Sequence, residues 1–196
     1  MSAARSFAAV VIGVSTGGVE ALKRLLPALP ADFALPILVV IHISANSGDA
    51  LARLLDAHTR IRVKEADEGE RIEAGVAYLA PPDYHLLVEP DGRLALAADA
   101  LVNFARPSVD VLFESAARRY GRELVAVVLT GAGADGAAGL ACVARMGGYT
   151  VVQDPRDALM DAMPSAALAQ CRPDRVLALA GLAELLIALA NGEVAA

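Results

Sequence analysis

The stretch Ala8-Ala9-Val10-Val11-Ile12-Gly13-Val14-Ser15-Thr16-Gly17-Gly18 decides how the rest of this chain folds. Its continuous apolar run, 8–14, is typical of a β-strand that is buried on both faces of a parallel sheet. The small and polar residues that follow are typical of a tight turn. Residues 19–26 then place leucines on one helical face, and Pro27 ends that helix. The stretch therefore predicts a buried strand, a turn and an α-helix in direct succession.

The same alternation continues along the chain. Further strands are expected at 37–41, 61–63, 76–80, 124–129, 150–152 and 176–179, and further helices at 49–57, 107–120, 136–146, 163–170 and 182–191. Between 86–88 and 94–96, the turn Pro90-Asp91-Gly92 indicates an antiparallel hairpin. The pattern predicts an α/β fold: a three-layer αβα sandwich with a mostly parallel, doubly wound sheet and an antiparallel β-hairpin insertion. We expect one domain over 1–196, with its core at about 7–191.

Composition excludes several classes of function. The 196 residues include 17 basic and 23 acidic side chains, for a formal charge of −6, and only 4% are aromatic. A chain without a Lys/Arg stripe or stacking rings is poorly suited to nucleic acid. The first apolar run is too short for a bilayer, and no small-residue cleavage pattern closes it. Cys142 and Cys171 lack metal-type spacing. We therefore expect a cytoplasmic protein with no nucleic-acid partner, no membrane insertion and no metal or other cofactor.

Polar residues with catalytic chemistry follow three of the predicted strands. They are Ser15 and Thr16 after the first strand, His42 after the second, and Asp135 in the glycine-rich loop 130–136. In parallel α/β sheets, ligand sites lie beyond the carboxyl ends of the strands. We therefore expect these side chains to meet at one edge of the sheet.

Each of these residues admits more than one interpretation. Residues 13–17 fit the Gly-x-Ser-x-Gly turn that exposes a serine nucleophile, but they also resemble a phosphate-binding turn, and Ser15 or Thr16 would equally cap the following helix. His42 is either a general base or a core histidine. Asp135 either orients the imidazole or caps the helix that follows it.

Six segments resemble, in order, the catalytic domain of CheB-type protein-glutamate methylesterases, over about residues 7–180. They are Ile12-Gly13-Val14-Ser15-Thr16-Gly17-Gly18, Val40-Ile41-His42, Val63-Lys64-Glu65-Ala66, Tyr78-Leu79-Ala80-Pro81, Arg106-Pro107-Ser108-Val109-Asp110-Val111-Leu112-Phe113 and residues 129–139. In that family a Ser-His-Asp triad hydrolyses glutamyl methyl esters on chemotaxis receptors, and some members deamidate glutamine.

The resemblance implies a role for several residues. Ser15 matches the nucleophile, His42 the general base and Asp135 its orienting carboxylate, while Thr16 and the amide of Ala132 match positions that border the oxyanion site. The implied substrate is the methylated cytoplasmic region of a chemotaxis receptor.

Three further residues are candidates for the same site. Gly133 lets the backbone of its loop approach a reacting group. His85 stands at the start of the hairpin and is a candidate to line the cleft. Arg106, in the shared motif, holds either a substrate carboxylate or a structural ion pair.

The chain departs from the family pattern at three points. Ala132 stands where Met is common, so a bulky wall over the site is missing. Ile41 precedes His42 where receptor-acting members usually have Gln. The chain also begins almost at the first strand, with no receiver domain ahead of it, as in the stand-alone branch of the family. We expect its activity to be constitutive or controlled by a separate regulatory protein.

Two other functions remain open from the sequence. One keeps the triad and changes the substrate to another ester or an amide. The other is a non-catalytic module that binds phosphate or a nucleotide at Gly17-Gly18, although a P-loop lysine is missing.

Overall fold

The computed structural model describes residues 5–42 and 49–193, where strands and helices alternate as the apolar pattern predicts. The strands are β1 (Ala9–Val14), β2 (Ile37–Ile41), β3 (Arg62–Glu65), β4 (Val76–Leu79), β5 (His85–Val88), β6 (Leu94–Ala97), β7 (Leu124–Val128), β8 (Tyr149–Gln153) and β9 (Arg175–Leu177). The helices are α1 (Gly18–Leu25), α2 (Ala50–Asp56), α3 (Val109–Tyr120), α4 (Ala137–Arg145), α5 (Ala162–Gln170) and α6 (Leu182–Ala190). The predicted turn at 46–48 and the segment that follows His42 lie outside the described residues.

One seven-stranded sheet forms the middle layer, in the order β3-β4-β2-β1-β7-β8-β9. Every neighbouring pair in it is parallel. The chain starts at the centre with β1, builds one side of the sheet, and returns to build the other side from β7. The strand order therefore reverses between β1 and β7, and a crevice opens at such a switch point beyond the carboxyl ends of the strands.

Alternation along the strands divides the interior into two cores. On β1, Val10, Ile12 and Val14 pack on one face with leucines of α1, α2 and α6. Ala9 and Val11 pack on the other face with α3, α4, α5 and the hairpin. The three-layer αβα sandwich predicted from the sequence is thereby confirmed.

The hairpin of β5 and β6 is a two-stranded antiparallel sheet of its own. Its Asp91-Gly92 turn closes with Gly92 at φ 83°, as the Asp-Gly signal predicts. Leu86, Val88 and Leu94 turn their side chains into the second core, beside α3. The predicted insertion is confirmed, and it packs along α3, with bonds at Ser108 and Ser115, rather than lengthening the main sheet.

Two glycines bring the beginning of α3 against the sheet. A Cβ on Gly13 of β1 would collide with the Val109 side chain, and a Cβ on Gly136 would lie 2.7 Å from it. Because neither residue carries a side chain, the first turn of α3 reaches the carboxyl ends of β1 and β7. That approach positions the helix N-terminus at the switch point.

No helix among the described residues combines the length and apolarity needed to cross a membrane.

Candidate active site

Ser15 lies between the ends of two neighbouring strands. The amide of His42, just beyond β2, donates to the carbonyl of Val14 at 3.2 Å, and the amide of Ser15 donates to the carbonyl of Thr130 at 3.0 Å. Ser15 therefore has His42 on one side and the loop 130–136 on the other. The structure brings together at one sheet edge the three segments that the sequence singled out.

Ser15 and His42 both follow residues of the first core. Val14 and Ile41, which are register partners, pack into that core. Because side chains alternate along a strand, the next residue on each strand is directed to the opposite face, where α3 begins. Ser15 is close to the neighbouring loop as well, since its Cβ would lie 2.8 Å from a Cβ placed on Gly131. A side chain at 131 would collide with Met163 as well as with Ser15, so a glycine is required there.

His42 is bonded to Asp135. Its Nε2 lies 2.9 Å from Oδ2 of Asp135, with 21% of the His42 side chain exposed and 5% of the Asp135 side chain. The carboxylate accepts this hydrogen bond, so Nε2 carries the proton in the neutral ring. Nδ1 is then the ring nitrogen with a free lone pair, available as a proton acceptor.

Groups at the N-terminus of α3 donate hydrogen bonds to the Asp135 carboxylate. Its Oδ1 accepts from Oγ of Ser108 at 2.7 Å and from the amide of Asp110 at 3.2 Å, and its Oδ2 accepts from the amide of Val109 at 2.7 Å. The carboxylate thus occupies the positive end of the helix dipole. The alternative interpretation of Asp135, a cap of the helix that follows it, is wrong: the N-cap of α4 is Gly136, without a side-chain bond. Asp135 caps α3 instead.

Asn103 adds a further bond that links two acids. Its Nδ2 donates to Oδ1 of Asp135 at 2.8 Å and to Oδ2 of Asp110 at 2.7 Å. The amide of Gly139 donates to the other oxygen of Asp110 at 2.6 Å. One amide group therefore bridges a pair of buried carboxyl groups next to the imidazole.

These surroundings shift the pKa values of the two acids in opposite directions. Burial alone would raise the pKa of Asp135, but hydrogen bonds from His42, Asn103, Val109 and Ser108 bring it below its usual value. Burial raises the pKa of Asp110, and the negative charge of Asp135 raises it further. Asp135 is consequently ionised at neutral pH and is the acid suited to stabilise an imidazolium.

The turn after β1 leaves both hydroxyl groups unused as caps. The N-cap of α1 is Gly17, at φ 82°, and the described part of the chain shows no side-chain hydrogen bond at this cap. The interpretation of Ser15 or Thr16 as a cap of this helix is therefore wrong. Ser15 is half-buried and Thr16 is exposed.

Backbone amides of two residues are candidates for binding a developing oxyanion. Within residues 5–42 and 49–193, no group accepts a hydrogen bond from the amide of Thr16 or of Ala132. Gly131, by contrast, is fixed by its own backbone, which donates to the carbonyl of Met160 and accepts from the amide of Met163, each at 3.0 Å. Ala132 and Gly133, the latter at φ 102°, lie exposed beyond this anchor.

Thr130 ties the loops around Ser15 together, a role that sequence reasoning missed. Its hydroxyl donates to the carbonyl of Thr16 and accepts from the amide of Met160, each at 2.9 Å. Its own amide donates to Oε1 of Gln153 at 2.9 Å. Asn103 and Ser108 were missed as well. Ser108 lies in the segment 106–113 that resembles the family, whereas no pattern marked Asn103.

A cleft of about 320 Å³ opens at His42. Its lining consists of His42 and residues 103–107 and 132–135. The predicted residues Arg106, Ala132, Gly133 and Asp135 thus meet in it. Among the described residues, no three His, Cys, Asp or Glu side chains are arranged to hold a metal ion.

His85 and Arg106 support the walls of the cleft. His85 is 2% exposed; its Nδ1 accepts from the amide of Ser108 at 3.1 Å and its Nε2 donates to the carbonyl of Ala100 at 3.0 Å. It lies behind Ser108 rather than in the lining. Arg106 donates to the carbonyls of Ala98 at 2.9 Å and Asp99 at 2.8 Å, and lies 3.9 Å from Asp83. Its Nη1 bonds therefore anchor the segment 98–99.

A doubly wound sheet with an imidazole–carboxylate pair at its switch point is an arrangement that α/β hydrolytic enzymes use. Comparison with known proteins identifies the family within this class of hydrolytic enzymes. The family model for CheB methylesterase matches residues 10–186, and the chain belongs to that family. The resemblance stated from the sequence is confirmed, and the chain is an enzyme of the carboxylic ester hydrolase type.

Two relatives and one solved structure illustrate the match. A Leptospira interrogans protein (strain Fiocruz L1-130), provisionally named protein-glutamate methylesterase/protein-glutamine glutaminase, is 47% identical over 184 residues, covering 94% of this chain and 95% of that protein. A Geobacter metallireducens protein-glutamate methylesterase/protein-glutamine glutaminase 1 is 45% identical over 170 residues, 85% of this chain but 47% of its own length. The crystal structure of the Thermotoga maritima CheB methylesterase catalytic domain matches with a TM-score of 0.90 and 36% identity, covering 94% of this chain and 99% of that one.

Proposed function

We propose that Ser15, His42 and Asp135 are the nucleophile, general base and orienting carboxylate with which this methylesterase hydrolyses glutamyl methyl esters on the cytoplasmic region of chemotaxis receptors. The observation that carries the proposal is the bond of 2.9 Å between His42 and Asp135, formed one strand away from Ser15. Because the substrate is the cytoplasmic part of a receptor, the reaction takes place in the cytoplasm.

The reaction starts when Oγ of Ser15 attacks the ester carbonyl carbon and transfers its proton to Nδ1 of His42. The amides of Thr16 and Ala132 stabilise the resulting oxyanion. The tetrahedral intermediate collapses, and methanol leaves with the proton from His42. Water, deprotonated by His42, then attacks the acyl-enzyme. This second step releases the glutamate carboxyl group and restores the Ser15 hydroxyl. Asp135 stays ionised throughout and stabilises the imidazolium.

The same acyl chemistry supports deamidation of glutamine as a second reaction. The relatives' names pair a methylesterase with a glutaminase. Only the leaving group differs, since ammonia replaces methanol. Ala132, at a position where the family resemblance implies Met, has only a methyl side chain and therefore leaves room over the proposed oxyanion site for either group.

The test is methanol release from a receptor cytoplasmic fragment that a methyltransferase has methylated. Ser15→Ala should lose activity by a factor on the order of 10⁴ or more, because the nucleophile is removed. His42→Ala should be comparably impaired. Matched controls are Ser165→Ala and His58→Ala, which alter exposed residues. Unchanged methanol release by Ser15→Ala would contradict the proposal.

A further inference from the structure

Among residues 5–42 and 49–193, Phe104 is the large apolar residue with the greatest exposure. It is 99% exposed, and its backbone adopts φ 62°, in the left-handed region. Bulky residues are rare at positive φ because the Cβ crowds the backbone, and such strain persists mainly where function requires it. Two unfavourable features thus coincide at a single phenylalanine.

The strain comes from the turn that carries Phe104. The backbones of Val102 and Ala105 pair through two hydrogen bonds, at 3.1 and 2.9 Å, with Asn103 and Phe104 between them. Asn103 is at φ 52°, so both central residues have positive φ, as in a type I′ turn. Asn is a favoured residue there and Gly is the usual second one. Phe in the second position costs stability that Gly would save.

The turn is held firmly in place. Asn103 is bonded to Asp135 and Asp110. The backbone that leads into the turn is also bonded. Arg106 donates to the carbonyls of Ala98 and Asp99, and His85 donates to the carbonyl of Ala100. Phe104 is therefore presented to solvent by a fixed segment rather than by a loose loop.

The position of Phe104 connects it with the reaction. Phe104 lines the same cleft as His42, and that lining contains the apolar residues Ala105, Ala132 and Ala134 as well as the charged Arg106 and Asp135. Across the nucleophile turn, Leu159 is 73% exposed, and its side chain packs against Gly17. Exposed apolar side chains thus stand both at the cleft that His42 lines and at the turn that follows Ser15.

We propose that Phe104 is a specificity-determining residue that packs against apolar side chains flanking the methylated glutamate in the protein substrate. The inference rests on the proposed function, because the occupant of this surface is that same substrate. An aromatic ring held in a fixed position loses little conformational freedom on binding, and aromatic anchors dominate many protein interfaces.

The test compares two substrates of the full chain. One is the methylated receptor fragment, and the other is a single-residue ester, the γ-methyl ester of an N-acetyl-glutamate amide. Phe104→Ala and Phe104→Gly should each raise KM for the fragment about tenfold or more, and each should lower kcat/KM for the fragment by a much larger factor than kcat/KM for the single-residue ester. Phe104→Leu should recover part of the loss. Val176→Ala, at an exposed apolar residue of β9, is the control.

Thermal stability supplies an independent measurement. Phe104→Gly should raise Tm by roughly 2–4 °C because glycine removes the strain, whereas Phe104→Ala should leave Tm nearly unchanged. A variant that is more stable and yet binds its substrate more weakly is the expected signature of a residue kept for binding.

The outcomes separate the two proposals. Wild-type enzyme that hydrolyses neither ester would overturn the proposed function and this inference with it. Wild-type enzyme that hydrolyses both esters, with an unchanged fragment KM in Phe104→Ala, would overturn the inference alone. So would a lower Tm in both variants, or a change of oligomeric state measured by ultracentrifugation, since Phe104 would then serve folding or self-association.

Discussion

Asp135 contacts both His42 and the start of α3. The same carboxylate that bonds His42 also accepts the first amides of α3 and the hydroxyl of Ser108. The orientation of the imidazole therefore depends on how α3 begins, and His85 extends this dependence by holding the Ser108 amide. Substituting a residue that bonds Asp135 should therefore lower the rate of hydrolysis even where that residue does not contact the substrate.

Ser108→Ala tests this dependence at the scale of one hydroxyl. The change removes the bond of 2.7 Å to Oδ1 of Asp135, whose other donors remain. We expect kcat for the methylated fragment to fall about tenfold, since a bond to a charged group contributes roughly 1.5–3 kcal/mol and part of it is retained by the remaining donors. KM should be unchanged because Ser108 lies outside the cleft lining. Steady-state kinetics of Ser108→Ala, with Ser165→Ala as the control, measure kcat and KM separately. A rise in KM alone would argue against a positioning role for Ser108.

Asp135→Asn changes charge with little change in shape. Asn presents an NH₂ group to partners that are themselves donors, so at least two hydrogen bonds are lost. We expect the free energy of unfolding at pH 7 to fall by about 2–3 kcal/mol, with a loss of activity on the order of 10³ or more. Urea unfolding and methanol release measure the two effects. Retained activity in a destabilised variant would show that Asp135 serves the fold alone.

At the scale of elements, the strand ends carry the candidate site because of how β1, β2 and β7 adjoin. The sequence predicted this much: continuous apolar runs indicated buried parallel strands, and the residues after them marked one sheet edge. His42 and Asp135, which follow two of these strands, are in contact at that edge in the structure. The catalytic roles of these residues stay predictions.

The supporting contacts were not predictable in the same way. Asp135 immediately precedes α4, so proximity along the chain favoured it as a cap there, yet it caps α3, whose first residue lies 26 positions earlier. Asn103 and His85 act through loops whose conformations follow no periodic pattern. Such contacts depend on how close α3 packs to β1, and only the assembled fold fixes that distance.

Gly13→Ala tests the packing of α3 on β1. The added methyl group would collide with Val109, so the first turn of α3 must move away from the sheet and from Asp135. We expect the free energy of unfolding to fall by roughly 1–3 kcal/mol, as for other overpacked sites, and activity to fall with it. Urea unfolding curves of the single variants and of Gly13→Ala/Val109→Ala measure the coupling.

The double variant should recover part of what Gly13→Ala loses, because the smaller side chain at 109 makes room for the new methyl group. Losses that simply add would rule out the steric explanation.

At the scale of the whole molecule, the switch point concentrates buried charge where both halves of the sheet meet α3. Asp110 and Asp135 share the amide of Asn103, yet their pKa values move apart. Burial raises the pKa of Asp110, whereas at Asp135 the hydrogen-bond donors outweigh burial and lower the pKa. The pH dependence of stability should therefore have two parts of opposite sign, one below and one above the ordinary pKa of aspartate.

For Asp135, the pKa is lower in the folded chain than in the unfolded one. Its contribution to stability is present above the unfolded value of about 3.8 and is lost as the pH falls through the folded value. For Asp110, whose pKa is raised by burial, the folded chain binds the proton more tightly. Stability from Asp110 is therefore present below about 3.8 and is lost as the pH rises through the folded value.

Urea unfolding between pH 3 and 7 should resolve these two parts by substitution. Asp110→Asn should remove a decline in stability that the wild type shows as the pH rises above about 4, and Asp135→Asn should remove a decline that it shows below about 4. Asp32→Asn, at an exposed residue, should leave the profile as it is. The Asp110 and Asp135 variants change different parts of the stability–pH profile. Folding stabilises the protonated form of Asp110 and the ionised form of Asp135. Identical profiles for Asp110→Asn and the wild type would mean that Asp110 does not titrate as a member of this pair, and that the charge of Asp135 is balanced by its hydrogen-bond donors alone.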